Sequence, residues 1–450
     1  MSSSVPVPEP FYISFDTTDV ERMLRLVCQT ELPEEPPFPT AGWNEGMDLE
    51  WLKLVKEQWI KTFAVDEFEA KLNRYPNFKA RFEQEDVDLH FIHARTENLH
   101  NAVPLLLLHG WPGSFHDFHK VVGPFVDPPH GGHPSYHVVV PSLPGFGFSS
   151  YPRRTPFTFV EIGKLLHKLM TEVLGYDKYL LQGGDWGGFI ARSMLADPVI
   201  SSHIPVAHMN MFFTVPPAAK VAEALGNLIP SFVKAIPGFT ALTSYLDDRV
   251  QNYLFKPEER RSIARSMQYR ETGNGYVFLQ STKPLSIGYA LNDSPIGLLT
   301  YIGSKFYEWS DPTVFQPQDL IETVALYYLT RSFYTSVMIY HQSRDVTWDM
   351  VGNSHKWKVA NPDNKLGFSN FPYEIGAAPE ALFKGLANLV MYKIHDVGGH
   401  FAALDEPTHF VFDIRELTRS NWPVRLSLWD QKERTTPRVG PDGQPISPEI

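Results

Sequence analysis

Apolar residues in this chain follow two different rhythms. Over 48–63 (DLEWLKLVKEQWIKTF) they stand at Leu52, Val55, Trp59 and Phe63, and a spacing of three or four marks one face of a helix. Residues 66–73 (DEFEAKLN) read as helix too, and 87–95 (VDLHFIHAR) alternate as a strand does. From Pro104 the pattern changes. Pro104–Gly110 (PLLLLHG) is a short unbroken apolar run that stops at glycine, which predicts a strand covered on both faces, as in a parallel sheet. Val138–Val140 and Tyr179–Gln182 read as strands as well, with helical stretches at 157–173 and 189–196 and a further strand at 204–213. Strands and helices alternating at this interval predict an α/β fold with a mostly parallel sheet.

The alternation lapses over 215–345, a Pro-interrupted, aromatic and largely helical stretch. Inserted between strands, it is expected to form a lid over the strand ends. Asn388–His395 (NLVMYKIH) returns to strand, and 407–419 reads as a final helix. The chain from Asp430 is polar and Pro-rich and is expected to be a poorly ordered tail. The resulting division is a helix-rich N-terminal domain at 1–103, a core in two parts at 104–214 and 346–429, the lid at 215–345 and the tail at 430–450.

Composition narrows the function. At 450 residues, with 43% hydrophobic and 13% aromatic, the chain can fill a large core and still line a pocket with rings. A formal net charge of −11 argues against nucleic acid and anionic lipid as partners. The single cysteine, Cys28, allows no internal disulfide and fits a reducing compartment. Residues 1–10 show no basic start followed by an apolar stretch. No apolar run approaches the ~20 residues that span a bilayer. The expectation is a soluble, cytoplasmic protein without a membrane anchor. No clustered Cys/His ligands are visible, so neither a metal nor an organic cofactor is expected.

The sharpest local signal is Gly183-Gly184-Asp185-Trp186-Gly187, set between a predicted strand and a predicted helix. That is the G-x-Nu-x-G elbow of α/β hydrolases, here with Asp where many carry Ser. A carboxylate attacking a saturated carbon forms an alkyl ester, and water can cleave that ester again. A serine attacking the same carbon would form an inert ether. Asp185 therefore points to substitution at tetrahedral carbon. His400 follows Gly398-Gly399 after the last predicted strand, the chain order of this fold, and would activate the water. Its carboxylate partner is read as Glu374, after Phe371-Pro372-Tyr373, ahead of Asp405 and Asp396. His109-Gly110-Trp111-Pro112-Gly113-Ser114 follows a buried strand, where the fold places an oxyanion-hole donor. Pro112 has no N–H, so the donors are read as Trp111 and, after the nucleophile, Trp186. An epoxide oxygen would also need an acid, and the residues alone leave open which lid tyrosine supplies it.

Taken together, the chain resembles the microsomal-type epoxide hydrolase family from about residue 10 to 420. The N-terminal part carries the likeness through DLEWLKLVKEQW, FEAKLNRYPNF and LHFIHAR, and the core through HGWPGSF at 109–115, PSLPGFGFS at 141–149, GGDWG at 183–187 and GGHFAALDEP at 398–407. The lid shares GYVFLQSTKP at 275–284 and ALNDSPIGL at 290–298. The resemblance implies an α/β-hydrolase fold with Asp185 as nucleophile, His400 as base and Glu374 as charge-relay acid. It also implies Tyr276 and Tyr340 as proton donors, Tyr340 following a helix from about Ala325. Two features depart from the family. The anchor of membrane-bound members is not visible, which likens the chain to soluble microbial members. The loop 359–371 (VANPDNKLGFSNF) before Glu374 is also longer than usual.

The partner expected is a small-molecule epoxide, converted to a vicinal diol, with a homodimer left as an open option. Competing readings are a dehalogenase using the same elbow Asp, a binding protein that has lost turnover, and a pathway enzyme devoted to one natural product. Halide release from haloalkanes separates the first of these.

Overall fold

The computed structural model describes residues 5–97, 102–128, 134–213, 255–376 and 378–423. These build one nine-stranded sheet, ordered β1-β2-β3-β5-β4-β6-β7-β8-β9. The strands are β1 (Glu9–Pro10), β2 (Asn77–Phe82), β3 (Val87–Ala94), β4 (Ala102–Leu108), β5 (Ser135–Pro141), β6 (Leu180–Gly183), β7 (Val206–Met209), β8 (Lys365–Asn370) and β9 (Asn388–Ile394). From β5 to β9 the neighbours run parallel, and β1, β2 and β3 join antiparallel at one edge. Every residue of β4, β5 and β6 is buried, as an unbroken apolar run in a sheet covered on both faces requires. The chain turns towards β5 on one side of β4 and towards β6 on the other. Ligand crevices of open α/β sheets form at such a reversal, beyond the carboxyl ends of the strands.

The N-terminal stretch is more than a helical appendage. Its helices Thr17–Gln29, Leu49–Thr62 and Val65–Leu72 are joined by three strands that extend the core sheet. Asp16 and Asp48 cap the first two helices, accepting from Thr18 N–H and Trp51 N–H. Trp43 stacks on Tyr307 of the lid at 3.5 Å, and Lys71 reaches Glu322, also of the lid, at 2.5 Å. The same Glu322 holds His116 at 2.9 Å, so one buried carboxylate ties the N-terminal helices, the segment after β4 and the lid together.

The expected loop at 359–371 is corrected: it contains β8, Lys365–Asn370. Only Leu366 and Phe368 give that strand an apolar signal, while Ser369 and Asn370 are buried polar residues. Their partners lie far away in sequence, Asp413 on Ser369 at 2.5 Å and Ser262 on Asn370 at 3.1 Å. Satisfied by those bonds, the side chains can sit in a core strand without looking like one.

The described lid is helical: Pro257–Gln268, Gly275–Thr282, Pro284–Leu291, Pro295–Trp309, Pro317–Leu329 and Met338–Gly352 are its main elements. Tyr340 lies in the last of these, after the helix that contains Ala325, which begins at Pro317 and ends at Leu329. The part of the expected lid before residue 255 and the tail from Asp430 lie outside the described residues. Among the described residues, no helix is long and apolar enough to cross a membrane.

Candidate active site

Four chain segments converge beyond the carboxyl ends of β4, β6, β8 and β9. After β6 the chain turns sharply into the helix Asp185–Ala196, with Asp185 at φ +49°. A non-glycine residue there costs about 1–3 kcal/mol, strain that the surrounding fold must hold. The turn is possible because the helix comes very close to β4: a Cβ on Gly187 would collide with the Leu108 carbonyl. Standing at the first turn, the Asp185 carboxylate also meets the positive end of the helix dipole.

The segment after β4 supplies a donor. Trp111 N–H donates to Asp185 Oδ1 at 2.7 Å. Gly110 lets the two segments approach, since a Cβ there would overlap the Asp185 carboxylate. His109 fixes the loop from behind: its Nε2 accepts from Leu143 N–H at 3.1 Å, and its Nδ1 lies 3.0 Å from the Gly110 carbonyl. Burial pulls the His109 pKa down to about 4, against the Gly110 carbonyl and Asp185, so this imidazole stays neutral.

His400 enters from the loop after β9. Its Nε2 lies 3.4 Å from Asp185 Oδ2, and its Nδ1 lies 3.0 Å from both oxygens of Glu374. Glu374 is fully buried, and its Oε1 also accepts from Gly376 N–H at 2.8 Å. A parallel bridge between Tyr373 and Gly399 pins the two loops to each other, and His400 N–H donates to the Trp309 carbonyl of the lid at 2.8 Å. The structure thus puts Glu374 on Nδ1. Asp396 is exposed, and Asp405 is buried beside Gly399. Burial opposes the imidazolium, but Glu374 and Asp185 outweigh it and raise His400 to about 10.

The lid closes the site with aromatic rings. Tyr276 stacks on Trp111 with centroids 5.2 Å apart, and Tyr340 stands edge-on to Trp111 at 5.7 Å and to Trp186 at 4.8 Å. The two tyrosine rings are 5.7 Å apart. Burial pushes both phenols well up, and the Asp185 charge pushes the same way, so both remain protonated donors. All seven residues singled out in the sequence therefore meet at one place.

The sequence reading missed others. Tyr269 shares a hydroxyl–hydroxyl hydrogen bond of 2.9 Å with Tyr276. It lies in the element Tyr269–Gly273, before the Tyr276 helix, so no helical spacing in the sequence links the two. Asp117, Gln182 and Asn210 line the space beside Asp185 and are silent as motifs. Among the described residues, no group of three or more His, Cys, Asp or Glu is placed to hold a metal ion.

A parallel sheet with an elbow carboxylate, a facing imidazole–carboxylate pair and an inserted helical lid defines an α/β hydrolase. Residues 8–118 match the family model for the epoxide hydrolase N terminus, and residues 103–244 match that for the alpha/beta hydrolase fold. Epoxide hydrolase 1 of Sus scrofa is 32% identical, over 90% of this chain and 87% of that protein. The solved Aspergillus niger epoxide hydrolase superposes with a TM-score of 0.76 at 28% identity, covering 94% of this chain and 98% of the other. The juvenile hormone epoxide hydrolase of Bombyx mori gives the same TM-score at 28% identity, covering 92% and 95%. The chain belongs to the epoxide hydrolase family.

Proposed function

We propose that this enzyme converts an epoxide to a vicinal diol in two steps through an ester on Asp185. In the first step an Asp185 oxygen attacks one epoxide carbon and the C–O bond of the ring breaks. Tyr276 and Tyr340 donate to the departing oxygen, which would otherwise leave as a strongly basic alkoxide. In the second step water attacks the ester carbon while His400 Nε2 takes a proton from it. The negative oxygen that develops is held by the Trp111 and Trp186 N–H groups. The ester C–O bond then breaks, the alcohol leaves with a proton, and Asp185 returns as a carboxylate. Glu374 orients the imidazole and stabilises its charged form.

The observation that carries this reading is one carboxylate held by Trp111 N–H at 2.7 Å and faced by His400 at 3.4 Å, with two buried phenols close enough for its charge to keep them protonated. Those phenols favour an oxygen leaving group, because a halide departs without a proton. The reading extends to a small-molecule epoxide as substrate and to a cytoplasmic setting, which the single cysteine supports. One turnover in ¹⁸O-water tests the covalent step. The first diol should carry an unlabelled oxygen drawn from Asp185, with label appearing in the side chain. Label in the diol of that first turnover refutes it.

A further inference from the structure

Beneath Asp185, on the sheet side, lies a cavity of about 40 Å³. His109, Asp117, Gln182, Asn210, Asp185 and His400 contribute polar side chains to its lining, and no lid tyrosine reaches it. A space of that size has room for roughly two or three waters, and water stays in a buried cavity only where several polar groups bind it. This cavity offers such groups. Gln182 is buried, its Nε2 donates to Asn210 Oδ1 at 3.0 Å, and its Oε1 is buried with no protein partner. A buried acceptor left unmade is costly, so it calls for a water.

Asp117 adds a second polar group. It sits in the short turn after the Trp111 loop, and its Oδ1 accepts from Ser114 N–H at 3.1 Å. Burial raises its carboxyl to about 8, against the Ser114 N–H and His400, so at neutral pH it carries a proton to donate.

The geometry points to a built water site here: Gln182, Asn210 and Asp117 hold the hydrolytic water on the face of Asp185 opposite the lid tyrosines and within reach of His400. The inference rests on the two-step reading above. An epoxide attached to Asp185 fills the tyrosine side, so water arriving through the lid would have to pass the bound alkyl group. From below, water has the ester carbon and His400 before it. Gln182 and Asp117 are positioning residues in this scheme. They touch the water, and His400 takes its proton.

The test separates the two steps with styrene oxide as probe. Gln182→Met keeps the volume and removes the acceptor, and Gln182→Glu keeps an oxygen in its place. Quenched samples are weighed as intact protein. In Q182M, ester formation should run at the wild-type rate while ester hydrolysis slows by about tenfold or more, as misplaced reactants do, and the alkylated enzyme accumulates. Q182E should recover most of the hydrolysis rate. A general loss of structure would slow both steps alike. Ester hydrolysis at the wild-type rate in Q182M overturns the water site. A high-resolution crystal structure of the wild-type enzyme tests the site without any variant. Ordered water on Gln182 Oε1 is expected, and a dry cavity overturns the proposal. His400→Ala is the control: if it never accumulates ester, the covalent reading has failed and the water site falls with it. If it accumulates ester and Q182M does not, only the water site has failed.

Discussion

In the free enzyme His400 carries the wrong charge for a base. Held at about 10 by Glu374 and Asp185 against its own burial, it is neutral in about one molecule per thousand at pH 7. Alkylation changes that balance, because an ester on Asp185 has no charge. The Asp185 Oδ2–His400 Nε2 separation is 3.4 Å, and unit charges at that distance interact by about 5 kcal/mol at an effective dielectric of about 20. Since about 1.4 kcal/mol is tenfold in proton affinity, roughly three orders of magnitude depend on the Asp185 charge. The first step would thus create the base that the second step needs. Asp185→Asn is a stable mimic of the ester. In this variant His400 should titrate about three pH units below the wild type, followed by the ¹⁵N shifts of the imidazole. Stability should respond with a definite sign. His400 is raised in the folded state from 6.5 to about 10, so its contribution is whole below pH 6.5 and is lost as pH rises towards 10. Chemical denaturation from pH 6 to 10 should therefore show a shallower decline in D185N than in the wild type. If His400 titrates within about one pH unit in the two proteins, the Asp185 charge does not hold its proton, and the reasoning is refuted.

Two further substitutions examine other parts of the site. Tyr276→Phe and Tyr340→Phe should each slow ester formation on the order of 10²-fold while leaving ester hydrolysis nearly unchanged; stopped-flow tryptophan fluorescence can follow both phases, and an equal slowing of both would remove the tyrosines from the first step. Gly187→Ala forces a methyl group into the Leu108 carbonyl and should destabilise the fold by about 2 kcal/mol or more, seen as a lower urea midpoint, whereas an unchanged midpoint would show that the elbow does not need the close approach.

Much of this architecture was legible because its signals are local. PLLLLHG states both the burial and the end of β4, and GGDWG states the elbow, since small residues are needed where the helix meets Leu108. His400 could be placed by its position after the last strand. Other features were hidden because their reasons lie far off in sequence. β8 is disguised by Ser369 and Asn370, whose hydrogen-bond partners lie 44 and 108 residues away. β2 alternates Phe78, Ala80 and Phe82, yet pairs with β1 across more than sixty residues. Gln182 reads as an ordinary strand residue, and only folding sets it against Asn210 under the elbow. Asp117 carries no motif signal of its own; in the structure it completes a capping box with Ser114.

On the proposed two-step reading, the arrangement lets one carboxylate serve both steps without the reactants obstructing each other. Asp185 is held at its oxygens, by Trp111 N–H on one side and His400 on the other, so its orientation is fixed by the core and not by the lid. The phenols proposed to act on the epoxide, Tyr276 and Tyr340, belong to the lid helices. The imidazole and its carboxylate belong to the loops after β9 and β8. Lid and core are nevertheless coupled, because His400 N–H is bonded to the Trp309 carbonyl, and Trp309 packs 5.6 Å from Tyr276 and 5.2 Å from the His400 ring. Changes in the lid can reshape the space beside the phenols, and so the substrates accepted, while the hydrolytic half remains anchored in the sheet. Trp309 touches both halves at once, so its displacement would disturb both. A substitution there should alter substrate preference and ester hydrolysis together, where one at Tyr340 should alter the first step alone.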